Sequence, residues 1–252
     1  MDVLVQACLN GSRTRADHPG VPLSADDLAA ESHRAVAVGA RALHVHPRRG
    51  DGAESLDPMA CGLAVQEIRT RCPGVPVGLS TGGWIEPDPA RRLEQVSGWT
   101  ELPDYVSVNF SEPGAAELCR LLADRRIRVE AGLASSADAE RFVRSEVSRR
   151  CLRILLEPGP QEARDALALA SEIEAILDRQ RNTSPRLLHG EGRAAWPVLE
   201  AALRRGYDVR IGFEDTLLLP DGRAAQSNAD LVEAAVALVR HGGSAAVRPA
   251  HP

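Results

Sequence analysis

"SADDLAAESHRAVAVGARALHVHPRR", Ser24 to Arg49, is a helical pattern followed by a β-rich run. Ser24 suits a helix N-cap, acids fill the next turn, and Gly39 suits the stop. "ALHVHP", Ala42–Pro47, is then short and apolar enough for a buried strand. The same alternation runs through the chain. Strand-like runs are "VLVQACLN" (Val3–Asn10), "ALHVHP", "VPVGLST" (Val75–Thr81), "DYVSVNF" (Asp104–Phe110), "IRVEAGL" (Ile127–Leu133), "LRILLE" (Leu152–Glu157), "RLLHGE" (Arg186–Glu191) and "DVRIGF" (Asp208–Phe213). Helical patterns accompany them: "PMACGLAVQEIRTRCPG", "PGAAELCRLLADRR", "ADAERFVRSEVSR", "PQEARDALALASEIEAILDRQ", "WPVLEAALRRGY" and "NADLVEAAVALVRHGG". Alternating strands and helices predict a parallel sheet. Eight strands in 252 residues predict an α/β fold of the (β/α)8 TIM-barrel type, a single domain over residues 1–252 with an irregular tail at 243–252. An open doubly wound sheet is the competing architecture, but no GxGxxG follows the first strand.

Composition narrows the function classes. The net charge is −5 and no basic run exceeds two residues, which gives no footing for nucleic acid or a membrane surface. No apolar stretch reaches the roughly 18 residues of a membrane span, and "MDVLVQACLN" reads as a first strand rather than a signal peptide. Five scattered cysteines without CxxC spacing suit reduced thiols, and a cytoplasmic location is expected. All 30 basic residues are arginine. Schiff-base catalysis on lysine is therefore excluded, and carbonyl activation must come from a metal, arginines or hydrogen bonds.

Barrel active sites form at the C-terminal ends of the strands. Polar residues gather there: Asn10, Ser12 and Arg13 after the first strand; His44, His46 and Arg48 at the second; Ser80, Thr81 and Gly82 at the third; Ser107 and Asn109 on the fourth. Glu130, Glu157, His189 and Glu191 follow, then Arg210, Glu214 and Asp215 at the eighth. Residues i and i+2 of a strand share a face, so His44 and His46 point together. Alone they suit a polar lumen as well as a metal site. Glu214 reaches the same mouth and would complete the three-ligand set of a catalytic zinc site; "FED" alone suits a helix start better, and it is the pairing with HxH that favours the metal. Glu130 should face the lumen and need a cationic partner, for which Arg210 is available. "STGG" suits an anion cradle or a tight turn. Asp215 suits a base or a loop cap.

Taken in order, "LNGSRT", "HVHPR", "STGG", "SVNF", the fifth-strand glutamate, "RIGFED" and "AQSNADLVEAA" resemble the β-keto acid cleavage enzyme family, whose founding activity is 3-keto-5-aminohexanoate cleavage. The resemblance runs from Val3 to about His241. It implies one Zn2+ per chain on His44, His46 and Glu214. It implies Asp215 as the proton-abstracting residue, assisted by Arg210, with Ser80, Ser107 and Glu130 completing the site. Asn10, Arg13, Arg48, Thr81, Gly82, Ser107 and Asn109 are expected to bind substrate. The implied reaction joins a β-keto acid to acetyl-CoA and releases acetoacetate and a new acyl-CoA by retro-Claisen cleavage, in a homo-oligomer, dimer or tetramer. A metal-dependent barrel lyase or aldolase without CoA, and a non-catalytic metal-binding relative, stay open as other readings. The founding enzymes carry an acidic residue in the first-strand loop, suited to an amino group. Arg13 stands in this loop, so an anionic or neutral substrate tail is expected.

Overall fold

The computed structural model describes residues 3–242, so the tail expected at 243–252 lies outside the described residues. Eight strands occur in the expected order: β1 (Val5–Cys8), β2 (Ala42–Val45), β3 (Val77–Ser80), β4 (Tyr105–Asn109), β5 (Arg128–Leu133), β6 (Arg153–Leu156), β7 (Arg186–Leu188) and β8 (Val209–Ile211). Neighbours pair in parallel in the order β7-β6-β5-β4-β3-β2-β1-β8. A parallel bridge between Leu187 and Asp208 joins β7 to β8. There Leu188 N donates to Asp208 O at 3.1 Å and Asp208 N to Arg186 O at 3.0 Å. The sheet thus closes into a (β/α)8 barrel. Most strands are shorter than their apolar runs, so Asn10, His46, Thr81, Glu157, His189 and Glu214 stand just past the strand ends, where the βα loops begin.

Eight helices surround the sheet: α1 (Ala25–Ala37), α2 (Pro58–Arg71), α3 (Pro89–Ser97), α4 (Ala115–Asp124), α5 (Ser136–Val143), α6 (Ala163–Arg179), α7 (Ala195–Arg204) and α8 (Asn228–Gly242). Ser24 caps α1 through a reciprocal capping box with Asp27. Helix α3 is missing from the sequence reading. It has nine residues, and its inward face includes the buried Arg92 beside Val96, which blurs the apolar stripe. The "ADAERFVRSEVSR" pattern breaks into α5 and a 3-10 turn at Glu146–Arg149. The core lies between sheet and helices, where Ala7, Leu43, Val45, Leu79, Val106, Ala131 and Ile154 are buried.

The other face of each strand fills the lumen, and here that filling is polar. Glu130 is completely buried and its partner is Arg153, whose Nε lies 2.5 Å from Oε2. Arg210, expected in that role, is held elsewhere by Glu214 and Asp215. Register explains the choice, because Glu130 pairs with Arg153 across β5–β6. Gln6 Nε2 donates to Glu130 at 3.1 Å and to Tyr105 Oη at 2.7 Å, and Tyr105 Oη donates to Leu43 O at 2.7 Å. Burial raises the Glu130 pKa, but Arg153, His44 and the Ser107 hydrogen bond lower it further, to about 2. Removing one member of such a pair leaves a buried unpaired charge, a cost of about 3–5 kcal/mol.

Candidate metal centre and active site

His44 lies on β2 and His46 just beyond it, and each side chain is only 2% exposed. Glu214 comes from the loop after β8, where its backbone N donates to Cys8 O at 3.2 Å. That contact depends on Gly212, since a Cβ there would sit 1.9 Å from Cys8 O. Gly11, at φ +54°, lets the loop after β1 pack on the Glu214 side chain; a Cβ would fall 2.5 Å from its Cγ.

The two Nε2 atoms are 3.1 Å apart, His46 Nε2 is 3.5 Å from Glu214 Oε1, and His44 Nε2 is 3.7 Å from Glu214 Oε2. Ligands about 2.0–2.1 Å from one tetrahedral ion lie about 3.3 Å from each other. The three residues therefore fit a zinc-sized ion with one position left for a ligand. Glu214 Oε2 is buried without a hydrogen-bond partner, as an atom reserved for an ion would be. Among the described residues, His44, His46 and Glu214 form the candidate metal-binding cluster.

The three groups are strongly coupled electrostatically. Burial lowers the His44 pKa to about 4 despite Glu214, which leaves its ring neutral at neutral pH and able to donate a lone pair. For His46 burial acts downward, but Glu214 and Glu54 raise the value to about 9. Burial acts upward on Glu214, yet Arg210 and the two imidazoles hold its carboxyl well below the usual range. Arg210 is shared: Nη2 lies 2.7 Å from Glu214 Oε1 and 2.7 Å from Asp215 Oδ1, while Nε reaches the same Oδ1 at 3.1 Å. Asp215 Oδ2 keeps no partner.

A cavity of about 420 Å3 opens over these groups, within the range of small-molecule sites. Its wall includes Arg13, His44, His46, Ser80, Ser107, Asn109, Glu157, Glu191, Arg210 and Glu214, all named from the sequence, together with Trp84 and Leu155. The other expected residues take framework positions. Asp215 is fully buried and outside the wall. Asn10 donates to Pro22 O and His46 O and accepts from His46 N, so it clamps the loop that carries His46. Arg48 donates to Gly11 O, Arg13 O and Gly52 O, tying the loops after β1 and β2 together. Thr81 Oγ1 donates to Ser107 O, and Gly82 N donates to Ser80 Oγ. Ser107 Oγ donates to Glu130 Oε1 at 2.7 Å. Glu130 thus supports the floor from below.

Two functional groups escaped the sequence reading. Glu54 accepts from His46 Nδ1 at 2.5 Å, the place an outer-shell carboxylate takes behind an imidazole that binds a metal, and so supports the candidate set. Trp84 donates from Nε1 to Glu54 at 3.2 Å and stands over the cavity, 55% exposed, its ring stacked on His46 at 6.2 Å. Both lie in loops without periodicity; a carboxylate shortly after an HxH motif was the available signal.

The model of the beta-keto acid cleavage enzyme family matches residues 2–150 and 117–251. The chain belongs to that family. Among relatives within it, 3-keto-5-aminohexanoate cleavage enzyme of Fusobacterium nucleatum is 25% identical, over 98% of this chain and 94% of its own. The enzyme of the same name from Acetoanaerobium sticklandii is 24% identical over 98% and 95%. A 3-oxoadipate:acetyl-CoA acetyltransferase of Cupriavidus necator is 30% identical over 81 residues, 32% of this chain and 28% of its own. The fold matches ObcA, solved as a ternary complex with a C4-CoA adduct and oxalate, with a TM-score of 0.70 and 16% identity over 89% of this chain. This chain spans 65% of the length of ObcA in that structure. It also matches 3-dehydroquinate dehydratase of Aquifex aeolicus, with a TM-score of 0.57 and 13% identity over 94% and 98% of the two chains.

Proposed function

We propose that this protein is a zinc-dependent enzyme that transfers the acyl group of a β-keto acid to CoA, taking acetyl-CoA as co-substrate and releasing acetoacetate. The observation that carries the reading is the His44–His46–Glu214 triangle opening on a cavity, in a chain of the beta-keto acid cleavage enzyme family. The acetyl-CoA partner draws support from the partial match to an acetyl-CoA acetyltransferase. The balance is R–CO–CH2–COO− plus CH3–CO–SCoA giving R–CO–SCoA plus CH3–CO–CH2–COO−.

When bound, zinc supplies Lewis acidity that makes the C2–H of the β-keto acid removable and favours the enolate. The chain's own residues prepare the rest. Arg210 fixes Glu214 and Asp215 with one permanent cation. Asp215 Oδ2, left free by that clamp, is the proposed acceptor of the C2 proton. Because Asp215 lies outside the cavity wall, the transfer requires Arg210 to swing aside or a water to intervene. Ser80 and Ser107 offer hydroxyls along the wall. Arg13 follows the Gly11 turn that packs on Glu214, so it stands at the metal end, where it suits a carboxylate of the substrate or an anionic tail. A homo-oligomer, dimer or tetramer, is part of the proposal, with light scattering as its check. Among the described residues no helix is long and apolar enough to cross a membrane.

The test is metal analysis followed by turnover of β-keto acids with acetyl-CoA, following acyl-CoA products by mass. About one zinc per chain, dependence on acetyl-CoA and loss of turnover in His46→Ala are expected. Cleavage without acetyl-CoA would favour a lyase, and a metal-loaded protein inert to every β-keto acid would favour a binding protein.

A further inference from the structure

The wall of the cavity opposite the metal triangle is built from hydrogen-bond acceptors. Asn109 ends β4 and pairs in register with Gly132 of β5, and Glu157 follows β6, its N donating to Leu133 O. A Cβ on Gly132 would lie 2.4 Å from Glu157 Oε1 and 2.7 Å from Asn109 Oδ1. The missing side chain therefore lets these two oxygens converge. The Asn109 amide group is oriented, because its Nδ2 donates to Glu112 Oε1 at 2.8 Å and Glu112 is held in turn by the buried Arg92. That leaves Oδ1 as the free end. Leu155 supplies apolar wall nearby.

A second observation sets the charge behind this wall. His189 is 2% exposed, and neither ring nitrogen has a hydrogen-bond partner. Its Nε2 faces Glu157 Oε2 at 3.9 Å, beyond hydrogen-bond reach, and its Nδ1 faces Asp215 Oδ1 at 3.3 Å. Burial and Arg210 lower the His189 pKa, but Asp215 and Glu157 outweigh them and raise it to about 9. Glu157 thus has a positive group behind it and no donor in front. Arg13, whose Nε is buried without a partner, lines the same cavity. An ammonium group beside Glu157 would stand against the His189 cation, whereas a neutral hydroxyl would not.

We propose that Glu157 and Asn109 form a specificity subsite for an uncharged, hydroxyl-bearing tail on the β-keto acid. This rests on the reading of the cavity as a β-keto acid site. The hydroxyl donates to Glu157 Oε1 or Asn109 Oδ1 above Gly132, and the carbon chain passes Leu155. A half-buried acceptor left unmatched penalises a plain alkyl tail, and sites that hydrogen-bond a substrate hydroxyl discriminate more strongly than apolar pockets do.

The zinc-loaded protein is tested with acetyl-CoA and three β-keto acids of equal length, 5-hydroxy-3-oxohexanoate, 5-amino-3-oxohexanoate and 3-oxohexanoate, and with 6-hydroxy-3-oxohexanoate for reach. Wild-type kcat/KM should favour a hydroxyl-bearing acid over the plain one by at least about tenfold. Glu157→Leu should bring that ratio near one, while Glu157→Gln, which keeps an acceptor oxygen, should retain most of it. Preference for the amino or plain acid, or a ratio unchanged in Glu157→Leu, overturns the subsite. A turnover-free arm compares calorimetric binding of 5-hydroxyhexanoate and 6-hydroxyhexanoate with that of hexanoate. Tighter binding of a hydroxy acid that is lost in Glu157→Leu supports the subsite, and equal binding refutes it. If no β-keto acid turns over while a hydroxy acid still binds selectively, the reaction assigned above fails and the subsite stands.

Discussion

Replacing Glu54 tests how the metal ligands are held. Its carboxylate takes the Nδ1 proton of His46 at 2.5 Å, in a place where His46 is 2% exposed and Glu54 is 12% exposed. For Nε2 to offer its lone pair to an ion, the neutral ring must carry its proton on Nδ1. Without Glu54 that proton becomes a buried donor with no acceptor, at a cost of about 1–3 kcal/mol. Glu54 also helps to hold the pKa of the metal-free ring at about 9, so its removal weakens both states and the figure is the upper bound on the loss of metal binding. At about 1.4 kcal/mol per decade, zinc affinity should fall by at most roughly 5- to 150-fold in Glu54→Leu. Glu54→Gln keeps a neutral acceptor and loses only the charge assistance, so a drop of about fivefold is expected. Competition against a chromophoric chelator measures both. Glu54→Leu binding zinc within about twofold of wild type, with an unchanged Tm, would show that His46 is held without Glu54. Trp84 provides an internal control, because its indole loses the same partner and its fluorescence should shift.

Three further outcomes follow from the geometry. Glu130 has a folded pKa of about 2 against an ordinary 4.5, so its contribution, on the order of 3 kcal/mol, is complete above about pH 4.5 and lost as pH falls toward 2; chemical denaturation across that window should show the loss, and Glu130→Gln should flatten it. Gly212→Ala places a Cβ 1.9 Å from Cys8 O, a backbone atom that cannot turn away; a loss of roughly 3 kcal/mol, a fall in Tm of about 10 °C and weaker zinc retention are expected, and an unchanged melt would show that β8 has slack. Arg13→Glu, which puts a negative charge where the substrate carboxylate is proposed to bind, should raise KM for every β-keto acid while leaving zinc content intact; an unchanged KM would remove Arg13 from substrate binding.

The barrel was legible because each βα unit carries its own signals: a cap such as Ser24, an apolar stripe, then a short β-rich run. The metal triangle was legible for a geometric reason, since i and i+2 on a strand must share a face and β8 must close beside β1. The direction of Glu130 followed from the same alternation, but its partner did not. Arg153 rather than Arg210 meets it because of the β5–β6 stagger, and stagger depends on all eight strands closing together. Asn10, Thr81 and Arg48 sit in the right loops, yet their polar atoms are spent on backbone carbonyls, a choice made by loop conformation that no local pattern encodes. Glu54 and Trp84 were missed for the converse reason. They lie in loops whose path to His46 is set only once the barrel is closed.

The strand that brings Glu214 into place is tied firmly to β1 but joins β7 by a single bridge, so the barrel has a seam. His46 and Glu214 are separated by about 170 residues of chain, and a bond between them through a shared ion acts as a cross-link closing that loop. In chain-entropy terms a closure of that length is worth on the order of 5 kcal/mol against opening. The same three side chains that would polarise a substrate would therefore also clasp the first quarter of the chain to the last, holding β8 with β1 and β2 as one unit on one side of the seam.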